Sequence, residues 1–105
     1  MKWNDIFAVK AVIETVYPLP VKVIIEIMSL NTEETAQACE ICIRAGATFV
    51  KTGTGWAHRG TTLEDVHLVK SLVGDQIMIK ASGGIRDLTT LIDMYQAGAR
   101  RFGVN

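Results

Sequence analysis

Apolar and polar positions along the chain follow two alternating rhythms. Residues 4–16 repeat Ile6, Val9, Val12, Ile13 and Val16, one stripe of a helix, with Asn4 or Asp5 as the expected N-cap. After Pro18-Leu19-Pro20 the pattern changes to Val21-Lys-Val-Ile-Ile-Glu-Ile27, a β-branched run of strand length. Asn31-Thr-Glu-Glu34 sets an acid three residues after an N-cap and opens a second helix, which Gly46 closes. Thr48-Phe-Val-Lys-Thr52 is the second strand. A glycine-bearing loop, Gly53 to Gly60, leads to Thr62-Leu-Glu-Asp65, another capping pattern. Its helix carries Val66, Val69, Leu72 and Val73 and stops at Gly74. Ile77-Met-Ile-Lys-Ala81 is the third strand. Ser82-Gly83-Gly84 is expected as the turn that opens a fourth helix with Leu88, Leu91, Ile92 and Tyr95, ending at Gly98. Arg101-Phe-Gly-Val104 is the last strand.

The order α-β-α-β-α-β-α-β predicts an α/β fold in which each helix returns the chain to a parallel sheet. Four such units make either an open sheet or half of an eight-stranded barrel, and periodicity does not choose between them. Length bears on the question. The chain has 105 residues, whereas a complete single-chain (βα)8 barrel takes about 250. Residues 1–105 are therefore expected to form one domain, a half barrel at most.

Charge and composition narrow the function classes. Eleven basic residues balance eleven acidic ones, which leaves no broad cationic footprint for nucleic acid or an anionic membrane. No run approaches the ~18 apolar residues of a membrane helix, and Met1 to Lys10 carries charges where a secretory segment would be apolar. Two cysteines fit a reducing, cytoplasmic setting. Cys39 and Cys42 form a CxxC, but they lie mid-helix on the apolar side without a second pair to complete a zinc site. Core packing is the expected role, and no metal site is expected.

The chemistry lies in the strands. Lys22, Lys51 and Lys80 each interrupt a run of Val, Ile, Phe or Met. Alternation puts Phe49 with Lys51 on one face and Met78 with Lys80 on one face. Lys51 and Lys80 are both expected at the C-terminal ends of their strands, where parallel α/β folds carry their sites. A single such lysine ends its strand and snorkels to water. Two on neighbouring strands do more: desolvation and a second ammonium lower a lysine's pKa, and a neutral lysine attacks a carbonyl to form a Schiff base. Gly53-Thr54-Gly55, Ser82-Gly83-Gly84-Ile85-Arg86 and Gly103 add glycine where strands end. Such loops let backbone N–H groups approach an anion, and Arg86 adds a charge. His58, in the loop Trp56-Ala-His-Arg59, is expected to be an exposed histidine. Glu26 has the parity of Lys22, so it is expected to face inward and pair with a lysine, or to serve as an acid in its own right.

These residues resemble a known family. Phe49-Val-Lys-Thr-Gly-Thr-Gly55 is similar to the Schiff-base strand of deoxyribose-phosphate aldolases, and Ile79-Lys-Ala-Ser-Gly-Gly-Ile-Arg86 is similar to their second-lysine strand. Val21-Lys-Val-Ile-Ile-Glu26 and Arg101-Phe-Gly103 fit the flanking strands. The resemblance spans residues 5–104 and covers strands five to eight of a barrel. It implies a class I aldolase without metal or cofactor, which cleaves 2-deoxyribose 5-phosphate to glyceraldehyde 3-phosphate and acetaldehyde. Lys51 would form the Schiff base, Lys80 would perturb it, and Lys22 would line the pocket. Thr54 and Gly55 would contact substrate; Gly83, Gly84, Arg86 and Gly103 would hold phosphate. The sequence departs from the family pattern at Gly53, often serine, and at Trp56, a lysine in some members. The family's proton-relay aspartate belongs to the other half of the barrel. Two expectations follow: the half barrel closes with a second copy or a complementary N-terminal half, or it persists as an incomplete half barrel that binds a sugar phosphate without turnover or serves only as an assembling structural fragment.

Overall fold

The computed structural model describes residues 3–104. Helix α1 (Trp3–Val16) leads to β1 (Lys22–Ile24), then a short 3-10 turn at Ile27–Ser29. There follow α2 (Thr32–Ala45), β2 (Phe49–Lys51), α3 (Leu63–Val73), β3 (Met78–Ile85), α4 (Leu88–Ala97) and β4 (Ala99–Val104). The four strands form one parallel sheet in the order β1-β2-β3-β4. Four strands alternating with four helices make half of a (βα)8 barrel.

Local chemistry sets the helix ends. Asn31 accepts from the Glu34 N–H at 2.7 Å while the Glu34 carboxylate accepts from the Asn31 N–H at 3.0 Å, and Gly46 closes α2 at φ 84°. Thr62 and Asp65 repeat this reciprocal pair at the start of α3. Each box satisfies two backbone N–H groups that the first helical turn leaves unbonded. Helix α1 departs from expectation: it begins at Trp3, so Asn4 and Asp5 lie inside its first turn.

The core lies between the helices and one face of the sheet. Val50, Ile79, Ala81, Ile85 and Ala99 from the strands meet Cys39, Cys42, Val66, Val69, Val73 and Met94 from the helices. The two cysteines are buried and reduced, as their helix face predicts, and burial pushes their thiols up to about 11 and about 12. The opposite face of the sheet is uncovered apart from Val12 and Val16 of α1, which share a cavity with its side chains. It presents Lys22, Ile24, Phe49, Lys51, Met78, Lys80 and Arg101, with Ile24 and Met78 both more than two-fifths exposed.

Two strands end elsewhere than their sequence suggests. The run 21–27 is strand only at Lys22–Ile24. Pairing with β2 goes on, because the Ile25 N–H donates to the Lys51 carbonyl at 3.0 Å and the Ile27 N–H to the Thr52 carbonyl at 2.8 Å. Two residues of one chain therefore span one of the other. Glu26 is the extra residue, held at φ 50°, ψ 61° in the left-handed region, which costs roughly 1–3 kcal/mol outside glycine. Strand β3 errs the other way. Ser82-Gly83-Gly84 is not a turn opening a helix. Ser82 pairs with Gly103 and Ile85 with Val104, so β3 runs on to Ile85, and α4 starts later behind its own cap, Asp87.

Candidate functional site

Register turns the isolated lysines into a row. Ile24, Lys51, Lys80 and Arg101 are successive partners across the four strands, and neighbouring strands lie ~4.8 Å apart. Lys22, two residues before Ile24, is on the same face. The side chains of Lys22, Lys80, Phe49 and Arg101 then line a cavity of about 640 Å³, whose far wall is Val12 and Val16 of α1 with Pro20 and Val21. The Arg101 guanidinium sits 5.9 Å from the Phe49 ring centre. Lys51 ends β2, as expected. Lys80 does not end its strand, because β3 continues five residues beyond it.

Electrostatics follow from this crowding. The Lys22 ammonium above all, then partial burial, Lys51 and Arg101, holds Lys80 below the ordinary lysine value. No carboxylate among the described residues forms an ion pair with any of these four cations. The expectation that Glu26 pairs with a lysine fails. Its two oxygens accept from Thr54, at 2.9 Å from the backbone N–H and 2.8 Å from the hydroxyl. The left-handed turn at Glu26 breaks the strand alternation that would have aimed it at Lys22.

Behind the row, a buried hydroxyl network ties three segments together. Thr52 Oγ1 lies 2.7 Å from Thr61 Oγ1 and accepts from the Ser82 N–H at 3.0 Å; the Thr61 hydroxyl donates to the Ser82 carbonyl. Thr61 also donates its backbone N–H to the Gly83 carbonyl at 2.9 Å. The loop 53–60 thereby lies against Gly83 and Gly84. A side chain at Gly60 would come within 2.6 Å of the Gly83 carbonyl oxygen, so glycine is required there by contact rather than by its dihedral angles. Arg59 anchors the loop's far end through a two-pronged pair with Asp65, at 2.7 and 3.3 Å. Burial works to raise the Asp65 carboxyl, but the Arg59 and Thr62 hydrogen bonds outweigh it and hold the group below its usual value.

The residues expected to hold phosphate are brought together only in part. Gly83 and Gly84 keep φ 109° and 75°, conformations that favour glycine, and Gly103 packs against the Ser82 side chain. Arg86 is exposed, beyond the end of β3. The N-terminus of α4 is already occupied by its own residue: the Asp87 carboxylate accepts from the Thr90 N–H at 2.8 Å. His58 is exposed, as is Trp56, whose backbone N–H donates to Thr54 Oγ1 at 3.2 Å.

Arg101, Thr52 and Thr61 escaped the sequence reading. Parity with Gly103 marks Arg101 as a further cation on the lysine face. A threonine among apolar strand residues signals a hydroxyl in need of a partner, but nothing local names that partner. Among the described residues no group of three or more His, Cys, Asp or Glu could hold a metal ion, and no helix is long and apolar enough to cross a membrane.

Known proteins are similar to this chain in sequence and fold. The deoxyribose-phosphate aldolase of Aquifex aeolicus is 60% identical over 84 residues, 80% of this chain and 38% of the relative. That of Thermotoga maritima is 47% identical over 105 residues, 99% of this chain and 42% of the relative. The chain matches the deoxyribose-phosphate aldolases over a part of their length. It spans about two-fifths of the relatives it matches. Solved structures agree: QR15, an aldolase, superposes with a TM-score of 0.90 at 52% identity, covering 94% of this chain and 45% of that one. A tetrameric deoxyribose phosphate aldolase from Aeropyrum pernix superposes with a TM-score of 0.84 at 31% identity, covering 93% and 43%. No protein-family model matches the chain.

Proposed function

We propose that this chain carries the amine side of a deoxyribose-phosphate aldolase site. The observation behind the reading is the row Lys51–Lys80–Arg101 with Lys22 beside it, a set of cations on one sheet face that no carboxylate among the described residues pairs. The Lys51 nitrogen attacks an aldehyde carbonyl, and loss of water from the carbinolamine leaves an iminium. In the cleavage direction that iminium draws in the electrons of the breaking C–C bond, so the first product leaves and an enamine remains. Protonation and hydrolysis of the enamine free acetaldehyde and restore the amine. Lys80, held below the ordinary lysine value, exchanges protons with these intermediates more readily than an isolated lysine would. Thr54 and Gly55 contact the substrate, 2-deoxyribose 5-phosphate. Gly83, Gly84, Arg86 and Gly103 form the phosphate end. No cofactor enters this chemistry.

One observation favours closure by a complementary half over closure by a second copy. Four cations line the uncovered face, and Glu26, the one acid of matching parity, is bound to Thr54. A second copy would set four further cations against the first four. A complementary half that brings an inward carboxylate would neutralise them and supply the proton relay. On this reading the chain alone forms the Schiff base and binds a sugar phosphate but turns over slowly.

Borohydride reduction in the presence of acetaldehyde, followed by peptide mapping, tests the proposal. An N-ethyl group on Lys51 is expected, lost in Lys51→Met. A folded sample without an adduct at Lys51 overturns the reading; an adduct at Lys80 alone reverses the two roles.

A further inference from the structure

We infer that Glu26 is a positioning residue, which fixes the loop after the Lys51 strand in the place where substrate is met. The inference rests on the aldolase reading for its consequence, but its physical basis is separate. Glu26 is the single non-glycine residue with positive φ among those described. The left-handed backbone lifts its side chain out of the β1 alternation and over the end of β2. There both carboxylate oxygens are taken up by one residue: Oε1 accepts from the Thr54 N–H and Oε2 from the Thr54 hydroxyl. Thr54 Oγ1 in turn accepts from the Trp56 N–H, so the grip on Thr54 extends two residues along the loop.

The fit around this grip is close. A side chain at Gly53 would meet Met28 Cε at 2.6 Å and Glu26 Oε1 at 3.0 Å, the ends of two flexible side chains that would have to shift to admit it. Met28 is buried, in the 3-10 turn that Glu26 itself introduces. Thr54 stands three residues after Lys51. The two-pronged hydrogen bond therefore couples the end of β1 to the segment that follows the proposed nucleophile. Both oxygens are engaged by Thr54, and among the described residues Glu26 forms no ion pair with a lysine. Charge-assisted bonds to an N–H and an O–H are among the stronger hydrogen bonds, and they offset the unfavourable backbone conformation at Glu26.

The test uses the full chain with Glu26→Ala, Glu26→Gly and Glu26→Gln. Glycine relieves the left-handed strain while removing the carboxylate, which separates loss of the grip from loss of folding. Glutamine keeps a carbonyl for the Thr54 N–H and an amide that donates to Thr54 Oγ1. Amide hydrogen exchange at Thr54 and Trp56 should quicken about tenfold or more in the alanine and glycine variants and stay near the wild-type rate in the glutamine variant. In borohydride trapping at Lys51, the acetaldehyde concentration for half-maximal adduct should rise several-fold in alanine and glycine and recover in glutamine, with the adduct yield at saturation little changed. Unchanged exchange at Thr54 in the glycine variant overturns the positioning role, as does a glutamine variant as loose as alanine. A wild-type chain that forms no adduct overturns the aldolase reading instead, and the exchange arm still decides what Glu26 does.

Discussion

Thr52 offers a sharp test of what holds the lysine strands in register, because two physical accounts of it predict opposite orders. Its side chain is wholly buried, and its hydroxyl accepts from the Ser82 N–H at 3.0 Å while lying 2.7 Å from the Thr61 hydroxyl. Thr52→Val keeps the shape and exchanges the hydroxyl for a methyl group. It strands the buried Ser82 N–H, and a buried donor without a partner costs about 1–3 kcal/mol. Thr61 keeps the Ser82 carbonyl as its acceptor, so the variant should lose about 2 kcal/mol. Thr52→Ser keeps the hydroxyl and loses one buried methyl group, worth about 0.8 kcal/mol. If apolar burial were decisive, valine would equal or exceed serine. Urea unfolding followed by circular dichroism reads the difference. With a urea slope of roughly 1–3 kcal/mol/M, the valine midpoint should fall about 1 M below wild type and the serine midpoint about half as far. A valine variant level with serine, at an unchanged slope, would refute the hydroxyl argument.

Three further outcomes follow from the charges and thiols. Lys22→Met should move the Lys80 titration, read by NMR at its Cε, up toward the ordinary lysine value, because Lys22 is the largest cause holding it down; a shift downward or none would contradict that cause. Asp65 is held below its usual value in the fold, so its contribution is fully present above the unfolded carboxyl value of about 4 and is lost as pH falls through the folded one. The stability gap between wild type and Asp65→Asn should therefore shrink as the medium is acidified below about pH 4, and a gap that holds constant there would sink the argument. Cys39 and Cys42, with thiols pushed up to about 11 and about 12, should react with iodoacetamide at neutral pH far more slowly in the folded chain than in urea; equal rates would show that the α2 face is open.

The uncovered sheet face connects fold to function. An ordinary α/β sheet buries both faces under helices. Here one face is buried, and the other exposes Ile24 and Met78 among four cations. Apolar side chains left beside charges that no carboxylate among the described residues pairs suit the inside of a closed barrel, which explains why a well-formed core on the helix side coexists with an open opposite side.

Much of this was legible in the residues themselves. Asn31 with Glu34, Thr62 with Asp65, and the glycines at 46, 74 and 98 bound α2, α3 and α4 where their patterns predict, because a cap is made by groups within a few positions of one another. Strand alternation separated Val50 and Ile79 from Lys51 and Lys80, so the apolar face and the lysine face were both readable. Tertiary structure decided what depends on contacts across tens of residues. Pairing of Ser82 with Gly103 drew the Ser-Gly-Gly segment into β3. The single extra residue between Ile25 and Ile27 turned Glu26 from the lysines to Thr54. Register placed Lys22, Lys51 and Arg101 around Lys80. Each of these is set by how one strand meets another, where a shift of one residue reverses the face a side chain takes, and no local pattern encodes that shift.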